Sequence, residues 1–254
     1  MLRRLTVKAA SIIAPRLLWR ARIRLWKVEQ TEAEVNLVPI LCSRTRTAID
    51  VGAACGLYTI HMLGYSRSVY AFEPRPDAAR ALTKEFLGSR PPVHVEAVAL
   101  SRRSGTASMR LHLKDLGWST IEPTATLPDS SELQLIEVPT RCLDDYRLSG
   151  VSFIKIDVEG HEEAVLEGAM ETLKRERPSL LIEIEERHSP GAIRRVSELL
   201  ASLGYSIHFL IDGHLRPISE FRIDLHQDQA GGGKYVNNFL FVQPGLLPRL
   251  KRRF

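Results

Sequence analysis

Apolar residues along this chain fall into short runs that alternate between a pattern suited to buried strands and one suited to helices. Ala48, Ile49 and Val51 make the first strand, Gly52 and Gly56 suit a tight strand-to-helix turn, and Leu57 to Leu63 begins a helix. A second strand, Val69 to Phe72, ends at Glu73. Asp77 is placed to cap a helix through about Leu87, and Val93 to Leu100 reads as a third strand. Gly105 to Leu113 alternates loosely enough for an added hairpin. Leu116 to Ser131, with Gly117, Pro123 and Pro128, reads as a loop that either covers a substrate or is a solvated insertion. Leu135 to Pro139 looks extended, and Val151 to Val158 is a fourth apolar strand. A helix carrying Ala164, Val165, Leu166 and Leu173 follows, then a strand from Ser179 to Glu185. A helix from Ala192 to Leu203, a strand from Tyr205 to Leu210 and a last strand over Asn238 to Val242 complete the series. Strands alternating this regularly with helices predict a doubly wound α/β sheet.

Composition changes that picture little, since 44% hydrophobic and 26% charged residues are those of an ordinary globular protein. The 254 residues suffice for one large α/β domain with extensions. Cys42, Cys55 and Cys142 are odd in number and include no CxxC pair, which disfavours a disulfide framework and a structural zinc site and fits a reducing cytoplasm.

Charge changes it more. Met1 to Val28 holds eight Lys or Arg and no acid. Beyond Pro15 a helix would gather Arg16, Arg20, Arg24 and Lys27 on one stripe, with Trp19, Ile23 and Trp26 beside it. Such a segment either lies on the anionic inner face of a membrane or caps the domain with its aromatic side inward. Ala9 to Ala14 is too short for a membrane span or signal core, while the composition of this end also suits an organelle-targeting segment. The tail Arg249 to Phe254 reads as a solvated basic end. Trp19 and Trp26 are too few to interleave stacking aromatics with these charges, so no nucleic-acid partner is expected.

Candidate chemistry lies at the strand ends. A dinucleotide fingerprint puts glycine at the first, third and sixth positions of the turn, where this chain has Gly52, Ala54 and Leu57. Asp50, just before the turn, would repel a pyrophosphate and favour the ammonium of S-adenosylmethionine, and Glu73 is placed for a ribose diol. The alternative is that GxxxG only permits close helix packing. In an open sheet Asp50, Glu73, Asp157 with Glu159, and Glu183 with Glu185 should converge on one crevice, with Lys155 offsetting their charge. Methyl transfer to a hydroxyl benefits from a base, for which Asp157 and His161 are the candidates, with Glu159 placed to orient either one. His161 could equally cap its helix. Asp157, Glu159 and Glu183 offer oxygen atoms of the kind a divalent magnesium ion takes, but nothing in their spacing demands a metal and none is assigned. His188, beside Pro190, reads as a loop residue.

Seven segments carry a family resemblance: AIDVGAACGLYTIHM (48–62), VYAFEPRPDAARAL (69–82), VEAVALSRRSGTASM (95–109), CLDDY (142–146), FIKIDVEGHEEAVLEGA (153–169), RPSLLIEIEERH (177–188) and NNFLFV (237–242). They resemble the FkbM family of S-adenosylmethionine-dependent methyltransferases over most of the chain after Arg44, and KIDVEGHE is the most specific block. The resemblance implies a Rossmann-like class I methyltransferase fold, mostly parallel with one antiparallel edge strand, over residues 44–245. A basic helical extension over 1–43 would precede it and a basic tail over 246–254 would follow. It implies S-adenosylmethionine as donor, with Asp50, Gly52 and Gly56 at its amino acid end, Glu73 at the ribose, and Glu96 and Ala97 at the adenine. The acceptor it implies is a hydroxyl of a sugar, in a glycan or glycolipid, or of a secondary metabolite. The turn often carries Asn where this chain has Ala54, which removes a polar contact, and Cys55 beside it is unusual. Two other classes stay open, a nicotinamide oxidoreductase and a nucleoside-binding protein without turnover.

Overall fold

A computed structural model of the protein describes residues 32–112, 119–126, 133–228 and 234–254. The basic amphipathic segment after Pro15 lies outside them, as does part of the loop expected over 116–131.

Eleven strands among the described residues form two sheets. The central sheet holds β1 (Thr47–Val51), β2 (Ser68–Phe72), β3 (Val93–Glu96), β7 (Val151–Ile156), β8 (Ser179–Glu183), β9 (Ser206–Ile211), β10 (His214–Pro217) and β11 (Asn238–Val242). Their order is β10-β9-β11-β8-β7-β1-β2-β3. From β8 to β3 every pairing is parallel. β11 runs antiparallel between β8 and β9, and β10 supplies the expected antiparallel edge. The pattern of Tyr205 to Leu210 gives β9, whereas the short polar β10 leaves no comparable signal.

Alternation along β1 explains the two-sided core. Ile49 and Val51 join Ile154, Ile156 and Ile182 on one face, while Ala48 joins Phe153, Leu181 and Leu240 on the other. Helix α1 (Leu57–Leu63) and α2 (Pro76–Glu85) bury Ile60, Met62 and Leu82 against the second face. Helices α3 (Glu162–Glu167), α4 (Met170–Glu176) and α5 (Ala192–Ser202) bury Val165, Leu173 and Val196 against the first. No helix among the described residues is long and apolar enough to cross a membrane.

Several local expectations change. The run Val93 to Leu100 splits into β3 and β4 (Ala99–Leu100), because β4 leaves β2 and pairs with β6 (Leu133–Arg141). The hairpin over Gly105 to Leu113 is one arm of a larger one, in which β5 (Gly105–His112) pairs antiparallel along the length of β6. Asp77 sits in the first turn of α2 without capping it, since Pro76, with its fixed φ, already starts the helix. The basic tail is not wholly solvated: Leu250 packs fully into the second face while Lys251, Arg252 and Arg253 remain exposed.

Candidate active site

The sheet reverses direction of winding between β1 and β7, and such switch points open a crevice beyond the carboxyl ends of the strands. Here the crevice encloses about 790 Å³ including its open mouth, within the range of roughly 300–1,000 Å³ for small-molecule sites. Its walls include Gly52, Ala54, Glu73, Asp157, Glu159, His161 and Glu183.

The turn after β1 is built by backbone crowding. Gly52 and Ala53 both donate to the Phe72 carbonyl, at 2.9 and 3.0 Å. Gly52 has φ +77°, and a Cβ there would stand 1.8 Å from the Asp157 carbonyl oxygen. Gly56 has φ +86°, and its missing Cβ leaves room for Leu82 and Phe86. Gly56 itself does not line the crevice, so close packing accounts for it. Ala54 is also left-handed, at φ 47°, and its N–H donates to Glu73 Oε2 at 2.8 Å. Glu73 Oε1 accepts from the Arg75 backbone N–H at 2.9 Å and from its Nε at 3.1 Å. A carboxylate has about four lone-pair sites, so Glu73 retains acceptor capacity on Oε2 at the crevice wall.

Asp50 stands apart from that wall. It is 2% exposed, lies on the opposite face of β1, and accepts from Thr59 Oγ1 at 2.6 Å. Burial pushes its carboxyl up to about 6, against the opposing pull of the Thr59 hydrogen bond and the Lys155 charge. Glu96 ends β3 with Oε2 3.4 Å from the Tyr146 hydroxyl, and Ala97 is exposed; neither lines the crevice, whereas their neighbour Val98 does. Cys55 is exposed and also outside the wall.

Lys155 holds the acids together from behind. Its side chain is 0% exposed, with Nζ 3.1 Å from Asn238 Oδ1, 3.5 Å from Asp157 Oδ2 and 3.8 Å from Glu183 Oε2. The ammonium also lies over the Tyr58 ring, 5.1 Å from its centroid. Burial works to lower the Lys155 pKa, yet Asp157, Glu183, Glu32 and Asp50 together outweigh it and hold it above its usual value. Glu183 is raised well above the usual carboxylate range, first by burial and then by Asp157. Of the acids expected to converge, Glu73, Asp157, Glu159 and Glu183 line the crevice, whereas Asp50 and Glu185 do not, Glu185 being held by Arg187 and Tyr235.

Two histidines each face a glutamate. Glu159 has φ +51°, a strained conformation for a side chain of its kind. Its carbonyl accepts from Thr120 Oγ1 at 2.8 Å, and its Oε2 stands 2.9 Å from His188 Nε2. Burial raises the Glu159 pKa. His188 Nδ1 donates to the Thr126 carbonyl at 2.9 Å, so this residue backs the site despite its unremarkable loop sequence. His161 has Nδ1 3.1 Å from Glu122 Oε2 and Nε2 2.9 Å from Ser101 Oγ, and burial lowers its pKa. His161 caps no backbone group of α3 through its side chain. Ser101, Thr120 and Glu122 are additions from the tertiary structure; Thr120 and Glu122 fall in the loop expected over 116–131, and Ser101 falls in the segment 95–109 without a signal of its own. Among the described residues no group of three or more His, Cys, Asp or Glu is disposed to hold a metal ion.

Among solved structures, the methyltransferase FkbM from Methylobacillus flagellatus KT is 17% identical and covers 78% of this chain and 44% of its own, with a TM-score of 0.52. This chain thus spans less than half the length of that protein. An rRNA methylase from Streptococcus thermophilus is 12% identical over 83% of this chain and 94% of its own, with a TM-score of 0.45. Fibrillarin from Aeropyrum pernix, solved with natively bound S-adenosyl-L-methionine, is 14% identical over 80% of this chain and 67% of its own, with a TM-score of 0.43. No curated protein sequence matches at a significant level. The Methyltransferase FkbM domain matches residues 50–207, more than half of the sequence, and the chain belongs to the FkbM methyltransferase family.

Proposed function

We propose that the protein is an S-adenosylmethionine-dependent O-methyltransferase whose acceptor is a hydroxyl of a sugar in a glycan or glycolipid. The observation that carries the donor reading is the charge of the crevice. Glu73, Asp157, Glu159 and Glu183 line it, with Arg75 bonded to Glu73 and Lys155 buried behind Asp157 and Glu183. Acids outnumber bases there, and Glu159 and Glu183, whose pKa values are raised, ionise more readily beside a sulfonium and an ammonium than beside a pyrophosphate.

The residues fit such a ligand. The free acceptor capacity of Glu73 suits a ribose hydroxyl, and Phe72, Pro74, Val98 and Leu100 offer an apolar wall for a purine. Asp50, Gly52 and Gly56 belong to the donor side in this reading, Gly52 by direct approach and the other two by shaping the turn. When bound, the donor supplies a methyl group on a positively charged sulfur. The chain's own task is then to hold an acceptor hydroxyl opposite it and receive the proton, for which Asp157 and His161 stand on the crevice wall, while the Glu159 carboxylate there faces His188 instead of orienting either one.

Isothermal titration calorimetry with S-adenosylmethionine and, separately, with NAD tests the donor. Heat with the first and none with the second is expected. Heat only with NAD would sink the reading. Incubation with labelled donor and cell-wall glycan extracts, followed by detection of methylated sugar, tests the acceptor.

A further inference from the structure

His161 is held at both ring nitrogens by residues that neither its motif nor the family match singles out. Glu122 comes from the segment 119–126, and its two carboxylate oxygens have separate partners. Oε1 accepts from Thr124 Oγ1 at 2.9 Å, which leaves Oε2 for His161 Nδ1 at 3.1 Å. The backbone of Glu122 is pinned as well, its N–H donating to Thr120 Oγ1 at 2.9 Å and its carbonyl accepting from Arg110 Nη2 at 2.5 Å. Ionised Glu122 can only accept, so Nδ1 carries the imidazole hydrogen and Nε2 presents its lone pair. The group 2.9 Å from that lone pair is the Ser101 hydroxyl, which must therefore donate to it. The order serine, histidine, glutamate is the arrangement by which a carboxylate fixes an imidazole tautomer and stabilises the imidazolium that forms.

We propose that Ser101, His161 and Glu122 act as one proton-accepting unit in the methyl-transfer site. The inference rests on the O-methyltransferase reading above. In the step, the Ser101 O–H first turns away from Nε2 and frees its lone pair, the acceptor O–H bond then breaks with its electron pair staying on oxygen, and the proton goes to His161 Nε2. Glu122 is a positioning residue that keeps Nδ1–H in place and balances the new positive charge. Ser101 is a second positioning residue. Its hydroxyl donates to Nε2 before the transfer and, after rotating, accepts from Nε2–H afterwards, so both protonation states are satisfied. Other charges near the ring are Arg102, which opposes its protonation, and Glu167, which favours it, paired with each other at 3.1 Å, and Glu163 with Arg195, paired at 2.7 Å in the same hollow. Burial keeps the resting imidazole neutral, and Glu122 is held below the usual carboxylate range by its His161 and Thr124 bonds against the opposing effect of burial.

The test is ¹⁵N-edited NMR of the histidine side chains across a pH series, with the His161 signals assigned by their loss in His161→Ala. The wild-type ring is expected in the Nδ1–H tautomer. Glu122→Gln should lower the His161 pKa by about one pH unit, because a neighbouring charge is lost, and Glu122→Asp should restore part of it. Ser101→Ala should keep the tautomer. An Nε2–H tautomer in the wild type overturns the proposal, as does a folded Glu122→Gln whose His161 titrates unchanged. The wild-type tautomer decides the matter even where the variant does not fold. Because the titration needs neither donor nor acceptor, a wrong array and a wrong ligand give separate results.

Discussion

Gly52 carries the heaviest local constraint in the turn. Any side chain there would overlap the Asp157 carbonyl and would have to adopt φ +77°. Gly52→Ala therefore forces β1 and β7 apart at the point where the crevice opens. The expected loss is at least about 3 kcal/mol of stability, from overpacking and left-handed strain together, with donor binding lost in parallel. Urea unfolding and calorimetry on the same preparation measure both; a variant within about 0.5 kcal/mol of wild type would mean that the strands separate easily. The sequence marked Gly52 but left two reasons open, and only the distance to Asp157 identifies backbone approach as the reason. Asp50 is the converse. Its charge guided the ligand argument, yet the strand's alternation turns it beneath the crevice, where Thr59 receives it.

At the scale of elements, the helix read as carrying Ala164 to Leu173 is two helices. Gly168 ends α3, and a Cβ there would stand 2.0 Å from the Ser101 carbonyl oxygen, so a larger residue could not follow this path. α4 then begins without a cap of its own. Asp144, 27 and 28 residues earlier, supplies one by accepting from the backbone N–H groups of Glu171 and Thr172 at 2.9 and 2.8 Å and from Thr172 Oγ1 at 2.7 Å. Asp144→Ala should cost about 1–2 kcal/mol, as for other lost caps, while Asp144→Asn, which keeps an acceptor oxygen, should cost less. Chemical denaturation of both variants checks the order. This cap was invisible in the sequence because it joins CLDDY to a helix start far along the chain. The strands and α1, α2 and α5 were legible because their apolar periodicity is local.

The whole molecule should show the buried acids in its stability. Glu162 accepts from the Gly160 N–H at 2.8 Å, and burial raises its pKa from 4.5 to about 7. Asp50 rises from 3.8 to about 6 for the same principal reason. An acid whose pKa is higher in the folded state binds its proton more tightly there, so its contribution falls as pH rises from its unfolded value through its folded one. Stability attributable to these groups should decline between about pH 4 and 7. The lowered acids Glu122, Glu176 and Glu185 act in the opposite sense as pH rises through the carboxylate range. Glu162→Gln should flatten the decline between pH 5 and 8 by about 2 kcal/mol, read as the difference between variant and wild-type unfolding free energies at each pH. Identical slopes would show that Glu162 ionises without penalty. The sequence by itself determined the alternation of strands and helices, the expectation of a crevice beyond the strand ends and the family motifs, because these depend on local periodicity and short spacing. Only the tertiary structure decided which acids face that crevice and which groups hold His161, because strand pleat, the return of the β5–β6 hairpin and the burial of Lys155 depend on residues distant in the chain.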